Sequence, residues 1–251
     1  MPLHPDFLTK PLAHRGLHDR SKGIPENSPA AFQAAIDAGY GIECDLQLSA
    51  DGKAMVFHDD RLDRLTEATG PVRGHTAADL GEIKLKDGDD FIPTLTELLA
   101  QVKGRVPLLI EIKDQDGKLG PDTGSLEADT ARLLADYDGP VAVMSFNPHA
   151  IAYMREYAPD LALGLVTCNF AAEEEAAALP ADYAAALSEI SDYDRVGACF
   201  ISHDHRDLHR PRVAALKKAG AAILCWTIRS KEQEDAARKV AQNITFEGYL
   251  A

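Results

Sequence analysis

The 251 residues match the ~250 typical of one α/β barrel and leave room for one sizeable core. With 45% hydrophobic and 26% charged residues, the chain is neither disordered nor fibrous. A formal net charge of −14, with no Lys/Arg stripe to reverse it locally, weighs against a nucleic-acid partner. Any anionic substrate has to be met by a metal ion or by local Arg and Lys.

The first ten residues, with Pro2, His4, Pro5 and Asp6, lack the charged-then-apolar order of a signal peptide. No run of ~18 apolar residues follows, so stable membrane insertion is not expected and the cytoplasm is the expected compartment. Short apolar runs then alternate with amphipathic stretches. Strands are predicted over 11–16, 41–48, 107–113, 141–146, 161–167, 198–203, 221–228 and 243–247, with helices between most of them over 28–38, 95–102, 125–136, 148–157, 212–219 and 231–240. Ser28 followed by Pro29 reads as a helix start, and Gly39 and Gly220 as helix stops. Eight strands in βα alternation predict a TIM (β/α)8 barrel, read as one domain over 1–251. A doubly wound sheet would want the G-x-G-x-x-G turn, which is absent.

The apolar run 53–58 breaks the alternation, because only Ala50, Asp51 and Gly52 separate it from the second strand. It is predicted to return antiparallel through a turn centred on Asp51-Gly52, which would set His58 opposite Asp45. Residues 59–93 then read as a small polar insertion near the barrel mouth, with glycines and no strong periodicity. The Ala- and Glu-rich segment 171–187 reads as a solvated helical crossover. Cys44, Cys168, Cys199 and Cys225 are scattered singly, as expected of free thiols in a reducing compartment.

Strand parity locates the chemistry. In Gly41–Leu48 the apolar set Ile42, Cys44, Leu46 and Leu48 shares one face, while Glu43, Asp45 and Gln47 share the other. Paired carboxylates in a barrel lumen need a cation or basic partners to persist. The fourth run repeats the pattern, with Glu111 and Lys113 on one face and Leu108, Ile110 and Ile112 on the other. Carboxyl ends of barrel strands are where this architecture places catalysis. Three oxygen donors, Glu43, Asp45 and Glu111, suit a hard divalent ion, Mg²⁺ or Ca²⁺, better than zinc; a plain structural ion pair between Glu111 and Lys113 is the blander alternative for 107–113. His14 and Arg15 end the first strand; His exchanges protons near neutral pH, and Arg can clamp a phosphate with two parallel hydrogen bonds. Pro25-Glu26-Asn27-Ser28 reads either as a capping turn or as a loop whose Glu26 and Asn27 reach the site. A second cluster, His203, His205 and His209 with Asp204 and Asp207, reads mainly as loop decoration, with a transition-metal site as the sharper alternative.

In chain order these are His14-Arg15-Gly16, Pro25-Glu26-Asn27-Ser28, Glu43-x-Asp45, His58-Asp59, Glu111-x-Lys113, Ser145-Phe146 and Trp226-Thr227. This order resembles the glycerophosphodiester phosphodiesterase family over nearly the whole chain. The resemblance implies a small-molecule glycerophosphodiester substrate, hydrolysed to glycerol 3-phosphate and an alcohol. It implies a divalent ion on Glu43, Asp45 and Glu111, His14 and His58 as general acid and base, and Arg15 and Lys113 on the phosphate. Glu26 and Asn27 would support the site, and Trp226 would present an apolar wall to the glycerol. Rival readings are a lysophospholipase D-like or other alkyl phosphodiesterase, a metal-dependent barrel lyase or isomerase, and a non-catalytic phosphoester-binding module. The chain departs from the family at its end: many members carry a Thr-Asp-x-Pro tail, here replaced by Thr245-Phe246-Glu247-Gly248, so that tail's contribution is expected to be missing.

Overall fold

The alternation of β-branched apolar runs with capped helices produces the architecture directly. The computed structural model describes residues 1–170 and 179–251. Eight strands run parallel: β1 (Leu12–Ala13), β2 (Gly41–Leu48), β4 (Leu108–Ile112), β5 (Val141–Ser145), β6 (Ala162–Thr167), β7 (Phe200–Asp204), β8 (Ala222–Ile228) and β9 (Asn243–Phe246). The barrel closes where β1 pairs with both β2 and β9, through Leu12 with Gly41 and Ala13 with Phe246. The predicted strands all form, most trimmed by a residue or more at an end.

Around the barrel lie α2 (Pro29–Ala38), α4 (Leu95–Val102), α5 (Ser125–Leu134), α6 (Pro148–Tyr157), α7 (Ala181–Ser188), α8 (Pro211–Lys218) and α9 (Lys231–Ala237). Ser28 Oγ accepts from Ala31 N at the start of α2, and Thr94 with Glu97 forms a reciprocal capping box at the start of α4. Each cap satisfies helix-end donors and contributes ~1 kcal/mol. Two short helices, α1 (Asp6–Thr9) and α3 (Ala77–Gly81), carry too few periodic positions to be read from sequence. Of the predicted crossover 171–187, positions 171–178 lie outside the described residues. Among the described residues, no helix is long and apolar enough to cross a membrane.

The alternate faces of the strands build two separate cores. Ile42, Cys44 and Leu46 of β2, with Leu108, Ile110 and Ile112 of β4, pack outward against Phe32, Leu98 and Val102 of the helices. Inside the lumen, Leu12, Leu109, Ala142, Phe200 and Leu224 form an apolar floor, plugged from below by Phe7 of α1. Gly164 leaves the space that the Phe200 ring fills, since a Cβ there would lie 2.3 Å from the ring. Asn243 Nδ2 ties the plug in place by donating to the carbonyls of Phe7 (2.8 Å) and Lys10 (2.6 Å).

The hairpin differs from expectation by one residue. β3 (Ala54–Val56) returns antiparallel to β2, but Leu46 faces Val56 and Gln47 faces Met55, which places Phe57 and not His58 opposite Asp45. The physical reason is the loop: Ser49 N bonds Lys53 O around Ala50-Asp51-Gly52, with Gly52 at φ 74°, so the turn centres on Asp51. A three-residue hairpin loop with glycine in the left-handed region shifts the register relative to a two-residue turn. Residues 59–93 also hold more than a polar excursion. Met55, Phe57, Leu62, Leu65, Val72, Leu80, Leu85 and Ile92 form a core of their own. These apolar residues are spaced without period, and the chain that carries them is tied by isolated bridges such as Thr66 with Leu85 and Lys84 with Phe91.

Candidate active site

Where β1 leaves the barrel, the chain turns sharply. Arg15 and Asn27 take φ 55° and φ 53°, a region non-glycine residues visit only when the surroundings enforce it. Asn27 N donates to Arg15 O at 2.9 Å, and Gly16, at φ 79°, presses against Ala31 so closely that a Cβ would sit 2.8 Å from the Ala31 side chain. The two motifs read in sequence as separate elements are thus one bonded unit. Ser28 caps the helix, while Glu26 and Asn27 turn toward the site, so both readings of that loop hold.

The carboxylates stand one layer above the apolar floor. Glu43, Asp45 and Glu111 are all buried, and one oxygen from each lies within 4.8 Å of the others. Burial, then the charges of Asp45 and Glu111, push the Glu43 carboxyl well above its ordinary range. Its Oε2 accepts from Arg15 N at 3.0 Å, whereas its Oε1 meets no hydrogen-bond donor among the described residues. Burial would also raise Asp45, but the charges of Lys113, His58, Arg15 and His14 outweigh it and hold Asp45 well below the usual range. Asn27 Nδ2 donates to Asp45 Oδ2 at 2.9 Å, and Arg15 Nε lies 3.4 Å from the same oxygen. Lys113 Nζ bridges Glu111 at 2.6 Å and Asp45 at 2.9 Å. The Glu111–Lys113 ion pair is therefore real, and it is part of the cluster. A buried, oxygen-only donor set with one orphaned carboxylate oxygen fits a hard divalent cation.

The two histidines approach this cluster from different sides. His14 Nε2 lies 4.0 Å from Glu43 Oε2, and its Nδ1 lies 2.5 Å from Glu247 Oε2. Burial lowers His14, with the Arg15 charge adding to the effect and Glu247 partly opposing it. His58 arrives from beyond β3: once the chain leaves the ladder, Gln47 Nε2 holds the His58 carbonyl at 2.9 Å. His58 Nδ1 meets Asp59 Oδ1 at 2.7 Å. Arg64, from the insertion, grips Asp59 at 2.7 Å and Glu26 at 2.9 Å, and Glu26 in turn holds Arg15 Nη1 at 2.6 Å. Burial opposes the ionisation of Glu26, but the Arg64 hydrogen bonds and the Arg15 charge hold its carboxyl down at about 2.

Opposite the acids stands an apolar wall. Trp226 meets Phe146 edge-on at 5.5 Å between ring centres, and Phe146 meets Phe170 at 6.0 Å. The indole Nε1 donates to Ser202 O at 2.9 Å, which fixes the ring. His14, Arg15, Glu43, His58, Glu111, Lys113 and Trp226 line one cleft of about 180 Å³ with Met144, Phe146 and Val166. Asp45, Asn27 and Glu26 contact that set from behind. The second cluster does not assemble. His203 is buried, bonded through Nδ1 to Thr167 Oγ1 at 2.7 Å, and among the described residues only Glu43, Asp45 and Glu111 gather as a possible metal set.

Two residues in contact with this constellation were missed. Glu247 continues the polar parity of Asn243 and Thr245 while Ile244 and Phe246 pack outward, a signal present in the sequence. Arg64 sits in the aperiodic insertion, where no pattern points inward.

The protein-family model described as the glycerophosphoryl diester phosphodiesterase family matches residues 14–244. A glycerophosphodiester phosphodiesterase of Bacillus subtilis strain 168 is 28% identical over 250 residues, covering 91% of this chain and 79% of its own. One from Caldanaerobacter subterraneus subsp. tengcongensis is 34% identical over 165 residues, covering 62% of this chain and 65% of its own. Among solved structures, an Oleispira antarctica phosphodiesterase in complex with the product sn-glycerol-3-phosphate superimposes with a TM-score of 0.78 at 23% identity, over 96% of this chain and 93% of that one. The likeness to that structure is one of fold, whereas the family model spans the site from His14 past Trp226, and by that match the chain belongs to the glycerophosphoryl diester phosphodiesterase family.

Proposed function

We propose that this glycerophosphodiester phosphodiesterase hydrolyses small glycerophosphodiesters, such as those of choline or ethanolamine, to glycerol 3-phosphate and the alcohol. The observation that carries the reading is the convergence, in and directly behind one cleft, of a buried carboxylate trio with two histidines, an arginine and a lysine. Glu43, Asp45 and Glu111 would hold Mg²⁺ or Ca²⁺, which when bound supplies positive charge at the phosphoryl oxygens. Arg15 and Lys113 add fixed charge on the phosphate, and together these answer how so acidic a chain takes an anionic substrate. One histidine takes the proton from the attacking hydroxyl, the substrate's own or that of water; the other gives a proton to the leaving alkoxide. Trp226 offers the glycerol carbons an apolar face. A barrel lyase or isomerase would need a base over a carbon acid and leaves paired histidines unexplained. A lysophospholipase D-like activity draws support from the run of rings Trp226, Phe146 and Phe170, a surface for an apolar chain.

The test is hydrolysis of glycerophosphocholine and glycerophosphoethanolamine, read as release of glycerol 3-phosphate, and of a lysophospholipid, read as release of its head-group alcohol. Each is measured with and without chelator, on the intact protein and on His14→Ala and His58→Ala. Activity should vanish with chelator, return with Mg²⁺ or Ca²⁺, and fall in both variants. Turnover that survives chelator and both substitutions would overturn the mechanism.

A further inference from the structure

We infer that Glu247 is a positioning residue for His14, holding the proton on Nδ1 and aiming Nε2 at the carboxylate cleft. The inference rests on the reading above, in which His14 transfers protons, and it concerns a residue to which the family resemblance assigned no role.

A carboxylate can only accept, so the 2.5 Å contact between Glu247 Oε2 and His14 Nδ1 requires the hydrogen on that nitrogen. Nε2 is left as the atom that exchanges a proton, and it is the one turned toward Glu43. Both ends of the contact are fixed by the backbone at the barrel seam. His14 N donates to Phe246 O at 2.9 Å, and Glu247 N donates to Ile228 O at 3.0 Å. Neither partner can drift without opening β1, β8 or β9.

The second carboxylate oxygen is occupied as well. Arg229 Nε and Nη2 lie 2.8 Å and 2.7 Å from Glu247 Oε1, and His18 Nε2 lies 3.5 Å from Oε2. Burial opposes ionisation, but the His14 hydrogen bond, the neighbouring His18 ring and the charges of His14 and Arg229 outweigh it and hold the acid well below its ordinary range. His58 shows the same construction, with Asp59 on Nδ1 and Arg64 behind it, so each ring is braced by an arginine-held carboxylate that leaves Nε2 available. A purely structural role, in which the ion pair only fastens the chain end, makes a different prediction: loss of Glu247 would then cost the same whether or not His14 is present.

The experiment uses the full chain with saturating Mg²⁺, in the forms wild type, Glu247→Gln, Glu247→Asp, His14→Ala and the His14→Ala/Glu247→Gln double variant. Steady-state turnover of glycerophosphocholine is read alongside the histidine-ring ¹⁵N–¹H spectrum, with the His14 signal assigned by its loss in His14→Ala. Glu247→Gln should lower kcat roughly 10- to 100-fold with KM little changed, and Glu247→Asp should recover part of the loss. In the His14→Ala background the substitution should have no further effect. The ring spectrum should show an Nδ1-protonated His14 in the wild type and a mixture in Glu247→Gln. Equal losses in both backgrounds, or a His14 tautomer indifferent to Glu247, would overturn the inference. An intact protein inactive on every phosphodiester, yet with the Glu247-dependent tautomer, would sink the functional reading while upholding the part of the inference that Glu247 sets the His14 tautomer.

Discussion

The floor and the rim of the barrel lumen are built by the same strands and differ by one pleat. On β4, Leu109 points into the apolar floor and Glu111, two residues on, into the carboxylate cluster. The floor is satisfied as it stands: rings and methyl groups fill the space, and burial stabilises them. The rim is not, because Glu43 is buried among like charges with one oxygen unpaired. Stability is thus concentrated at the amino ends of the strands and chemical potential at their carboxyl ends, which is the division this architecture permits.

Substitutions can break that division in opposite directions. The largest expected effect is at the rim: His14→Ala or His58→Ala should lower kcat ~10²- to 10⁴-fold, with a urea midpoint close to the parent's. At the floor, Phe200→Ala should cost about 3–5 kcal/mol of unfolding free energy, because Gly164 leaves a cavity that nothing nearby can fill. The fraction that stays folded should keep its kcat. A floor variant with intact stability and lost turnover would refute the separation.

Smaller effects sharpen it. The Glu43 carboxyl is raised above its ordinary value, so the metal-free fold loses stability as pH climbs from the ordinary glutamate range through that raised value, where the buried acid is forced to ionise. Glu43→Gln should therefore raise the melting temperature of the metal-free protein above pH 6 by a few degrees and abolish stabilisation by added Mg²⁺ or Ca²⁺. A variant melting below the parent would contradict the buried-charge account. Glu26 has the opposite sign. Held at about 2, its carboxylate contributes stability that is complete above about pH 4.5 and disappears as pH falls toward 2. Glu26→Gln should flatten that acid limb of the stability curve; an unchanged limb would show that the Arg15–Glu26–Arg64 chain contributes nothing to the fold.

Much of this was legible in the sequence because period-2 patterning is a local property. Ile42, Cys44 and Leu46 against Glu43 and Asp45 settle which face is inward without knowledge of any neighbour. The register of the hairpin was not, since it depends on whether a turn takes two or three residues, and Asp51-Gly52 suits either. Arg64 was invisible for a related reason: its partners Glu26 and Asp59 are brought together by irregular chain, whose path leaves no repeat. Glu247 was readable from the parity of Asn243 and Thr245 but was passed over because the departure from the family tail pointed to a missing contribution.

The seam between β1 and β9 also governs when the molecule becomes whole. Asn243 and the carbonyls of Phe7 and Lys10 are more than two hundred residues apart in the chain, and the plug under the floor is fastened only when they meet. As a nascent chain emerges amino end first, seven of the eight barrel strands can be present while the first still lacks a partner on one side. Contacts this distant in sequence close slowly. The ribosome therefore delivers the last requirement of the first strand only with β9, and a transcript cut short before residue 243 yields an open sheet with an exposed edge, a substrate for proteases and not for catalysis.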